Sequence, residues 1–445
     1  MPEIASPSAS TLNPAKTARQ RTDTFTSIWM MIAVAMAIAT LVAKSRMPQP
    51  LWTMIHLVTL GVLSNGIFQW SWFFARSLAR LSADDPRARR HNTIRVLIFN
   101  AFFALLFVSM WLGWMVGTVI AATGIAAVAA WHGAEMLSVL RERLASRFVV
   151  VVRYYVCSAS FFVLAALLAS FVTVTMFSPS IPEAMVAMRD RLTLAHALSG
   201  VAGWVGLTIG GTVITLGPTI LRTRMSPDAV SGGVRVLLPW CLSLILAIAA
   251  ALLGMMPLVG AGILAIGACA IVGIVYPYAK VLRNKGPREY SAWSFLLGLL
   301  WISVGVCALG VVALFVSTPS QLRALTLMWL PIIGIAGFTQ LFQGALSYLM
   351  PVVIGGGPSV VRIGIAIIDW QYSLRLGLRN SALILELFLF FTSEIPSVHV
   401  LRMAGWLLVI ATFVIDVVIY AKTGVTQARA RRARSETLSE SRQVQ

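Results

Sequence analysis

Apolar residues form long runs along the chain, and short polar or basic stretches separate these runs. A helix needs about 20 apolar residues to cross the hydrocarbon core of a bilayer. The pattern therefore predicts an all-α fold: a polytopic integral membrane helix bundle of about twelve transmembrane helices. The predicted spans are residues 26–43, 50–75, 94–114, 116–138, 148–177, 191–221, 233–254, 258–281, 292–317, 326–354, 378–396 and 399–421.

Basic residues alternate between the connections and so predict the orientation. Lysine and arginine concentrate in cytoplasmic loops. The connection at 318–325 carries only Arg323, and the first connection, with Lys44 and Arg46, departs from the alternation. The even-numbered connections are rich in basic residues, among them Arg76, Arg80, Arg87, Arg89, Arg90, Arg141, Arg143, Arg147, Arg222, Arg224, Lys280, Arg283, Lys285, Arg288, Arg362, Arg375 and Arg379. This pattern places both termini in the cytoplasm.

The polar segments at the two ends predict the domain organisation. Residues 1–25 are predicted to form a disordered cytoplasmic tail, and residues 422–445 a basic cytoplasmic tail. The segment 26–421 is a single transmembrane domain with no soluble domain inserted. Any chemistry must therefore take place within the bundle or at its faces.

Composition supports a membrane location and argues against a nucleic-acid partner. Only 11% of the residues are charged and 58% are apolar, whereas soluble domains carry about 25% charged residues. The net charge of +19 comes mainly from loops and tails, which fits contact with an anionic leaflet. The expected partner is the lipid bilayer of the plasma membrane, which the chain crosses many times.

Three histidines fall inside predicted spans, where an ionisable group is a candidate functional site. His56 and His196 lie at similar depth near the outer face. His132 is expected about 10 to 15 Å deeper. Neutral imidazoles bind haem iron or copper, so His56, His132 and His196 are candidate cofactor ligands, and His56 and His196 are the candidate metal pair. The competing interpretation is an imidazole hydrogen-bonded to a neighbouring helix.

Other polar residues in the spans have candidate roles. Glu135 follows His132 by three residues, so a carboxylate there can orient the imidazole or relay a proton. Glu386 lies near mid-bilayer and is the second candidate proton relay. Arg153 either extends to the inner interface or holds an anionic group such as a haem propionate.

A short echo links two spans. Gly211 and Pro218 are separated by seven residues, as are Gly344 and Pro351, and both pairs lie near the predicted inner end of a helix. Duplicated units and chance in an apolar sequence both explain this echo.

Several segments carry a resemblance to a known family. They are residues 56–67, Trp131-His132, residues 152–156, residues 195–225 and residues 340–352. Together they resemble an actinobacterial family of polytopic membrane proteins labelled copper oxidase or nitrite-reductase-associated membrane module. That family is similar to NnrS-type haem–copper membrane proteins, and distantly to the catalytic subunit of haem–copper oxidases.

The resemblance implies a twelve-helix bundle whose intramembrane histidines hold haem, copper or both. On that basis His56, His132 and His196 match family positions. Two expected ligands are missing: Leu198 stands where the sixth helix tends to have a second histidine, and Trp72 where the second helix tends to have one. A binuclear oxidase centre is therefore not expected, and a single haem or metal is.

Three functions compete on the sequence alone. The first is a haem- or copper-binding membrane protein in a respiratory, nitrogen-oxide or copper-handling role. The second is a secondary transporter, since twelve helices with both ends inside is a common transporter plan. The third is a non-catalytic membrane partner of an oxidoreductase such as a copper oxidase or nitrite reductase.

Overall fold

The structure, a computed structural model, describes residues 14–43, 46–82, 84–143, 149–177, 182–223, 227–283, 286–327, 329–390 and 396–443. Helices account for almost all of these residues, and no strand occurs among them. The helices are α1 (Pro14–Ala43), α2 (Pro50–Leu78), α3 (Arg87–Trp111), α4 (Met115–Glu142), α5 (Val149–Phe177), α6 (Glu183–Ile220), α7 (Pro227–Leu253), α8 (256–282), α9 (Tyr290–Phe315), α10 (Pro319–Thr326), α11 (330–354), α12 (Pro358–Ile368), α13 (Tyr372–Phe390) and α14 (Pro396–Gln443). The all-α prediction is confirmed for this part of the chain.

Within the described ranges, nine helices are long and apolar enough to cross a membrane: α2 to α9 and α14. Three predicted spans fall outside this set. In α1, the apolar stretch among the described side chains is Phe25–Thr40. Helix α11 is interrupted by glutamines, and α13 carries three charged residues.

Both predicted tails are partly helical. Helix α1 begins at Pro14, within the segment predicted as a disordered tail, and residues 1–13 of that tail lie outside the described residues. Helix α14 continues unbroken to Gln443, through the predicted basic tail. Alanine and arginine favour helix in both segments. In the first connection, which departs from the alternation of basic residues, Lys44 lies outside the described residues and Arg46 lies among them.

The C-terminal part of α14 bonds to the end of α11. The Gln427 side chain donates to the carbonyl of Pro351 at 2.7 Å, and Arg431 donates to the carbonyl of Ile354 at 2.9 Å. Arg434 donates to the carbonyl of Gly356 at 3.0 Å. These bonds satisfy carbonyls that the end of a helix leaves unpaired.

Small residues set the crossing of α9 and α11. A Cβ atom added at Gly344 would lie 2.5 Å from the backbone nitrogen of Phe295. At Gly298 it would lie equally close to the backbone nitrogen of Leu341. The two backbones therefore touch, as membrane helices do where small residues meet.

Wide π-helical turns interrupt several of the long helices. They occupy Leu57–Ser64 in α2, Leu198–Gly206 in α6, Ile271–Val275 in α8 and Gly334–Thr339 in α11. A wide turn displaces backbone bonds, and side chains compensate: Asn65 donates to the carbonyl of Gly61 at 2.8 Å. Such turns occur frequently at functional sites, and two of them begin next to the predicted metal pair.

Candidate metal centre and buried polar clusters

His56 and His196 lie together, as predicted from their depth. His56 ends the first turns of α2, directly before its wide turn, and His196 lies just before the wide turn of α6. Their ring centroids are 6.2 Å apart, and the ring planes are nearly parallel at 14°. Both imidazoles are half-buried.

Each ring of this histidine pair is held by a main-chain hydrogen bond. The Nδ1–H of His56 donates to the carbonyl of Trp52 at 2.9 Å, and the Nδ1–H of His196 donates to the carbonyl of Ala165 at 2.8 Å. Because a carbonyl only accepts, the proton lies on Nδ1 in both rings. Nε2 of each imidazole therefore keeps a lone pair for a metal. Bonds of this kind orient metal-binding histidines.

Aromatic packing fixes the His56 ring further. The Trp52 indole stacks on it with a centroid separation of 4.3 Å and an interplanar angle of 22°. The rings of the pair thus have a defined tautomer and a defined orientation.

The spacing of the two rings is compatible with one shared metal. Imidazole–metal bonds of about 2.0–2.1 Å, plus about 1.1 Å from nitrogen to ring centre on each side, give about 6.3 Å between centroids. Across the described residues, no cluster of three or more histidine, cysteine or acidic side chains is placed to hold a metal. The candidate donors at this place are the two imidazoles of His56 and His196.

His132 is not part of this pair. It is fully buried, and Phe68 and Trp204 surround its ring at 5.0 and 6.1 Å between centroids. Its Nε2 lies 3.4 Å from the hydroxyl of Ser71. Trp204, which packs on His132, follows His196 by eight residues. His132 therefore lies about 12 Å deeper along the helix axis than the pair.

Glu135 does not bond to His132. One of its oxygens accepts from Nδ1 of His91 at 2.6 Å and from the indole of Trp131 at 3.0 Å. The other oxygen forms an ion pair with Arg95, whose side chain is fully buried. The carboxylate therefore neutralises a buried guanidinium, and the predicted orienting contact to His132 is replaced by this pairing.

Arg153 is half-buried on α5 and lies away from the histidine pair. It precedes Ala165, whose carbonyl holds His196, by twelve residues, which is about 18 Å along the helix. The next two residues, Tyr154 and Tyr155, bond to the carbonyl of Gly233 at 2.8 Å and to the Thr212 hydroxyl at 2.9 Å.

Glu386 is fully buried on α13 and is paired. Its Oε2 accepts from Nε of Arg402 on α14 at 3.3 Å. The role of Glu386 as a proton relay stays a prediction.

A cluster of charged residues around Asp416 was not predicted from the sequence. Arg375 and Arg379 were assigned to a cytoplasmic loop, but both lie buried in α13, which is a correction to the orientation count. Asp416 of α14 forms ion pairs with both guanidiniums and accepts from the Tyr290 hydroxyl at 2.7 Å. Spacing by four residues puts the two arginines on one helix face, and this signal could have identified them.

The remaining donors of this charged cluster also have partners. Arg375 donates to the carbonyls of Ile368 and Trp370. Arg379 donates to the Thr412 hydroxyl at 2.9 Å and to Oε1 of Gln343 at 3.2 Å. The cluster joins α9, α11, α13 and α14 at the ends of their apolar parts.

The surroundings of two acidic groups outside the spans shift their pKa values. Arg87 donates to Asp85 at 3.1 and 2.8 Å and holds the pKa of that carboxyl below its usual range. Burial raises the pKa of Asp369, although its carboxylate accepts from the backbone nitrogen of Tyr290 at 2.8 Å.

Comparison with known proteins gives no match. No family model fits the chain, and neither a curated protein nor a solved structure is detectably similar. The resemblance drawn from the sequence motifs therefore stays a prediction.

Proposed function

We propose that the chain crosses the plasma membrane twelve times with both ends in the cytoplasm. In this arrangement α1, α11 and α13 cross the membrane in addition to the nine apolar helices. Two of the three charged residues of α13, Arg375 and Arg379, share the carboxylate of Asp416, and the third is neutralised by Arg402. Charged residues paired inside a bundle are compatible with a transmembrane helix.

We infer that His56 and His196 bind one metal centre between them, namely haem iron. The observation that supports this is the pair of parallel imidazoles with both Nδ1 atoms bonded to main-chain carbonyls. Both Nε2 atoms are left as bare acceptors, which is the state a metal requires.

The size of the donor set favours haem over an isolated metal ion. Isolated transition metals in proteins commonly take three or four protein ligands, whereas a porphyrin supplies four nitrogens and leaves two axial positions. Two histidines therefore complete the coordination of haem iron. When bound, haem would supply one-electron exchange within the membrane.

The residues of this chain have distinct parts in that role. His56 and His196 would hold the iron, the carbonyls of Trp52 and Ala165 would raise the basicity of the imidazoles, and the Trp52 ring fixes the His56 ring. Because two histidines of this chain would hold the haem iron, the function supported best is electron transfer in a respiratory, nitrogen-oxide or copper-handling role. Oxidase catalysis needs an open position.

The test is a spectrum of the detergent-solubilised protein, expressed with a haem supply. We expect a Soret band, a pyridine haemochrome equal to about one haem per chain, and iron in equal amount. His56→Ala and His196→Ala should each abolish the band. His399→Ala, at an exposed position on α14, is the matched control and should keep it.

Other outcomes separate the identity of the metal from its existence. If the protein contains one copper per chain and no haem, and the same two variants lose that copper, the site is correct and its metal is copper. Protein that takes up neither would refute the metal centre and leave only the membrane bundle.

A further inference from the structure

Around His132 lies a group of buried polar atoms that have no use in the proposed metal centre. Among the described residues, Nδ1 of His132, Nε1 of Trp72 and Nε of Arg95 have no hydrogen-bond partner. All three side chains are at most 1% exposed. Unpaired buried polar atoms are rare and costly in proteins, so three in one place indicate a bound partner.

The three side chains are neighbours. The guanidinium of Arg95 lies over the Trp72 ring, 5.1 Å from its centroid. The Trp72 ring meets the His132 ring edge-on, with 6.3 Å between centroids. We call these three residues the His132 cluster.

The available donors and acceptors match water. Trp72 Nε1–H and Arg95 Nε–H can only donate, so the partner must accept twice. If Nε2–H of His132 donates to the Ser71 hydroxyl, Nδ1 is an acceptor and the partner must also donate once. Buried waters typically make about three such bonds.

Charge argues against an anion at this place. The one permanent cation of the cluster, Arg95, is already paired with Glu135. An added anion would therefore bring an uncompensated charge into the membrane interior, which is costly.

A path to the inner face begins at the same ion pair. Glu135 and His132 are one helical turn apart on α4, and Glu135 accepts from His91 at 2.6 Å. The His91 side chain is 40% exposed and lies at the end of the wide first turns of α3, Arg87–His91. Imidazole and carboxylate groups in hydrogen-bond contact are able to relay protons.

We propose that one ordered water molecule binds in the His132 cluster, and that this site is the buried end of a proton path that opens at His91. The proton passes from solvent to the His91 imidazole, then to the Glu135 carboxylate, and through the water to Nδ1 of His132, and the transient imidazolium gives a proton back along the same route, so that no net charge stays in the bundle. Arg95 keeps its proton throughout and orders the water.

The chain offers a matched pair of tryptophans for the test. Trp72 and Trp131 both lie on Arg95, at 5.1 and 5.3 Å. The Trp131 N–H is used by Glu135, whereas the Trp72 N–H is assigned to the water. Trp72→Phe should therefore remove a bond of the water, and Trp131→Phe should leave the water in place.

The first measurement is nuclear magnetic resonance of ¹⁵N-histidine-labelled protein in lipid nanodiscs, with the signal of His132 identified by its loss in His132→Gln. We expect the Nε2–H tautomer at His132 and polarisation transfer from water to its ring. This transfer should be lost in Trp72→Phe and kept in Trp131→Phe. No transfer in the wild type, or equal loss in both variants, would overturn the water site.

The second measurement tests the path with the cluster intact, so it does not depend on how Trp72→Phe folds. Exchange of the His132 ring proton after transfer into D₂O should be about tenfold slower in His91→Gln, because a positioned proton carrier is removed. Arg90→Gln, next to it and exposed, should exchange like the wild type. Unchanged exchange in His91→Gln would refute the path.

Discussion

Two buried polar regions of this protein differ in what they leave unused. At the histidine pair, one nitrogen of each ring is bonded to a main-chain carbonyl and the other keeps a free lone pair. In the cluster of Arg375, Arg379 and Asp416, each guanidinium nitrogen has an acceptor and the carboxylate receives both cations. The first region can bind a ligand without losing a bond, whereas the second can bind one only by breaking its own.

This difference separates a binding site from a structural cluster better than burial does. Ionisable residues in a membrane suggest function by default. The charged cluster meets that criterion, yet its saturation indicates that it fixes α13 against α14. Substitutions should therefore destabilise the fold at the charged cluster, and remove the ligand with little effect on the fold at the histidine pair.

The largest expected effect is at Asp416. Asp416→Asn leaves two buried guanidiniums without their counter-charge, which should lower the free energy of unfolding by about 3–5 kcal/mol. Thermal unfolding in detergent, followed by circular dichroism, measures this. Asp228→Asn is the control, because Asp228 is 64% exposed in its pair with Lys280 and should change by less than about 1 kcal/mol. Equal stability of the two variants would contradict the structural role.

A smaller loss is expected at Glu386. Glu386→Gln removes one charged partner of Arg402, whose side chain is 19% exposed and can reach more polar surroundings. The same unfolding experiment should show a decrease of about 1–3 kcal/mol. A loss as large as that of Asp416→Asn would mean that this pair is as rigidly buried as the charged cluster.

At the histidine pair, stability and ligand binding should separate. His196→Ala deletes one hydrogen bond to the carbonyl of Ala165, so metal-free protein should lose only about 1 kcal/mol. Its metal content should fall to background in the same preparation. If the metal-free variant unfolds as readily as Asp416→Asn, the pair is a structural contact and the comparison fails.

The smallest effect concerns Asp85 and appears only in acid. Its folded-state pKa is lowered by Arg87, so its stabilisation is present above the unfolded pKa of about 3.9 and is lost as pH falls through the folded value. Asp85→Asn should remove this loss below about pH 4 and cost less than about 1 kcal/mol at pH 7. Unfolding curves between pH 3 and 7 measure it.

The adjacent Asp84 is the control for that experiment, since its side chain is 85% exposed. Asp84→Asn should keep the acid dependence of the wild type. If both variants lose it equally, the effect belongs to the net charge of the connection and not to the Asp85–Arg87 contact.

The sequence predicts the helices well because hydrophobic runs report directly on lipid burial. It also predicts that His56 and His196 lie at similar depth, since depth along a span follows from residue counts, but their contact depends on which helices are neighbours. It does not predict which neighbour binds a given side chain. Glu135 pairs with Arg95 and not with His132 because helix α3 faces α4 at that level, and no local pattern carries that information.

Arginines 375 and 379 illustrate a second limit. Counting basic residues assumes that they lie in loops, and these two are buried and share one aspartate that follows about forty residues later. The sequence does not predict the wide turns of α2 and α6 either, since their backbone shift leaves the apolar pattern of the helix unchanged.

The long last helix has a practical consequence for handling the protein. Its C-terminal part donates hydrogen bonds to the carbonyls of Pro351, Ile354 and Gly356 through Gln427, Arg431 and Arg434. Trimming the chain at residue 421 on hydropathy alone would remove these bonds from a neighbouring segment, whereas an affinity tag attached after Gln445 leaves them untouched. The last turns of α14 therefore stabilise the end of α11.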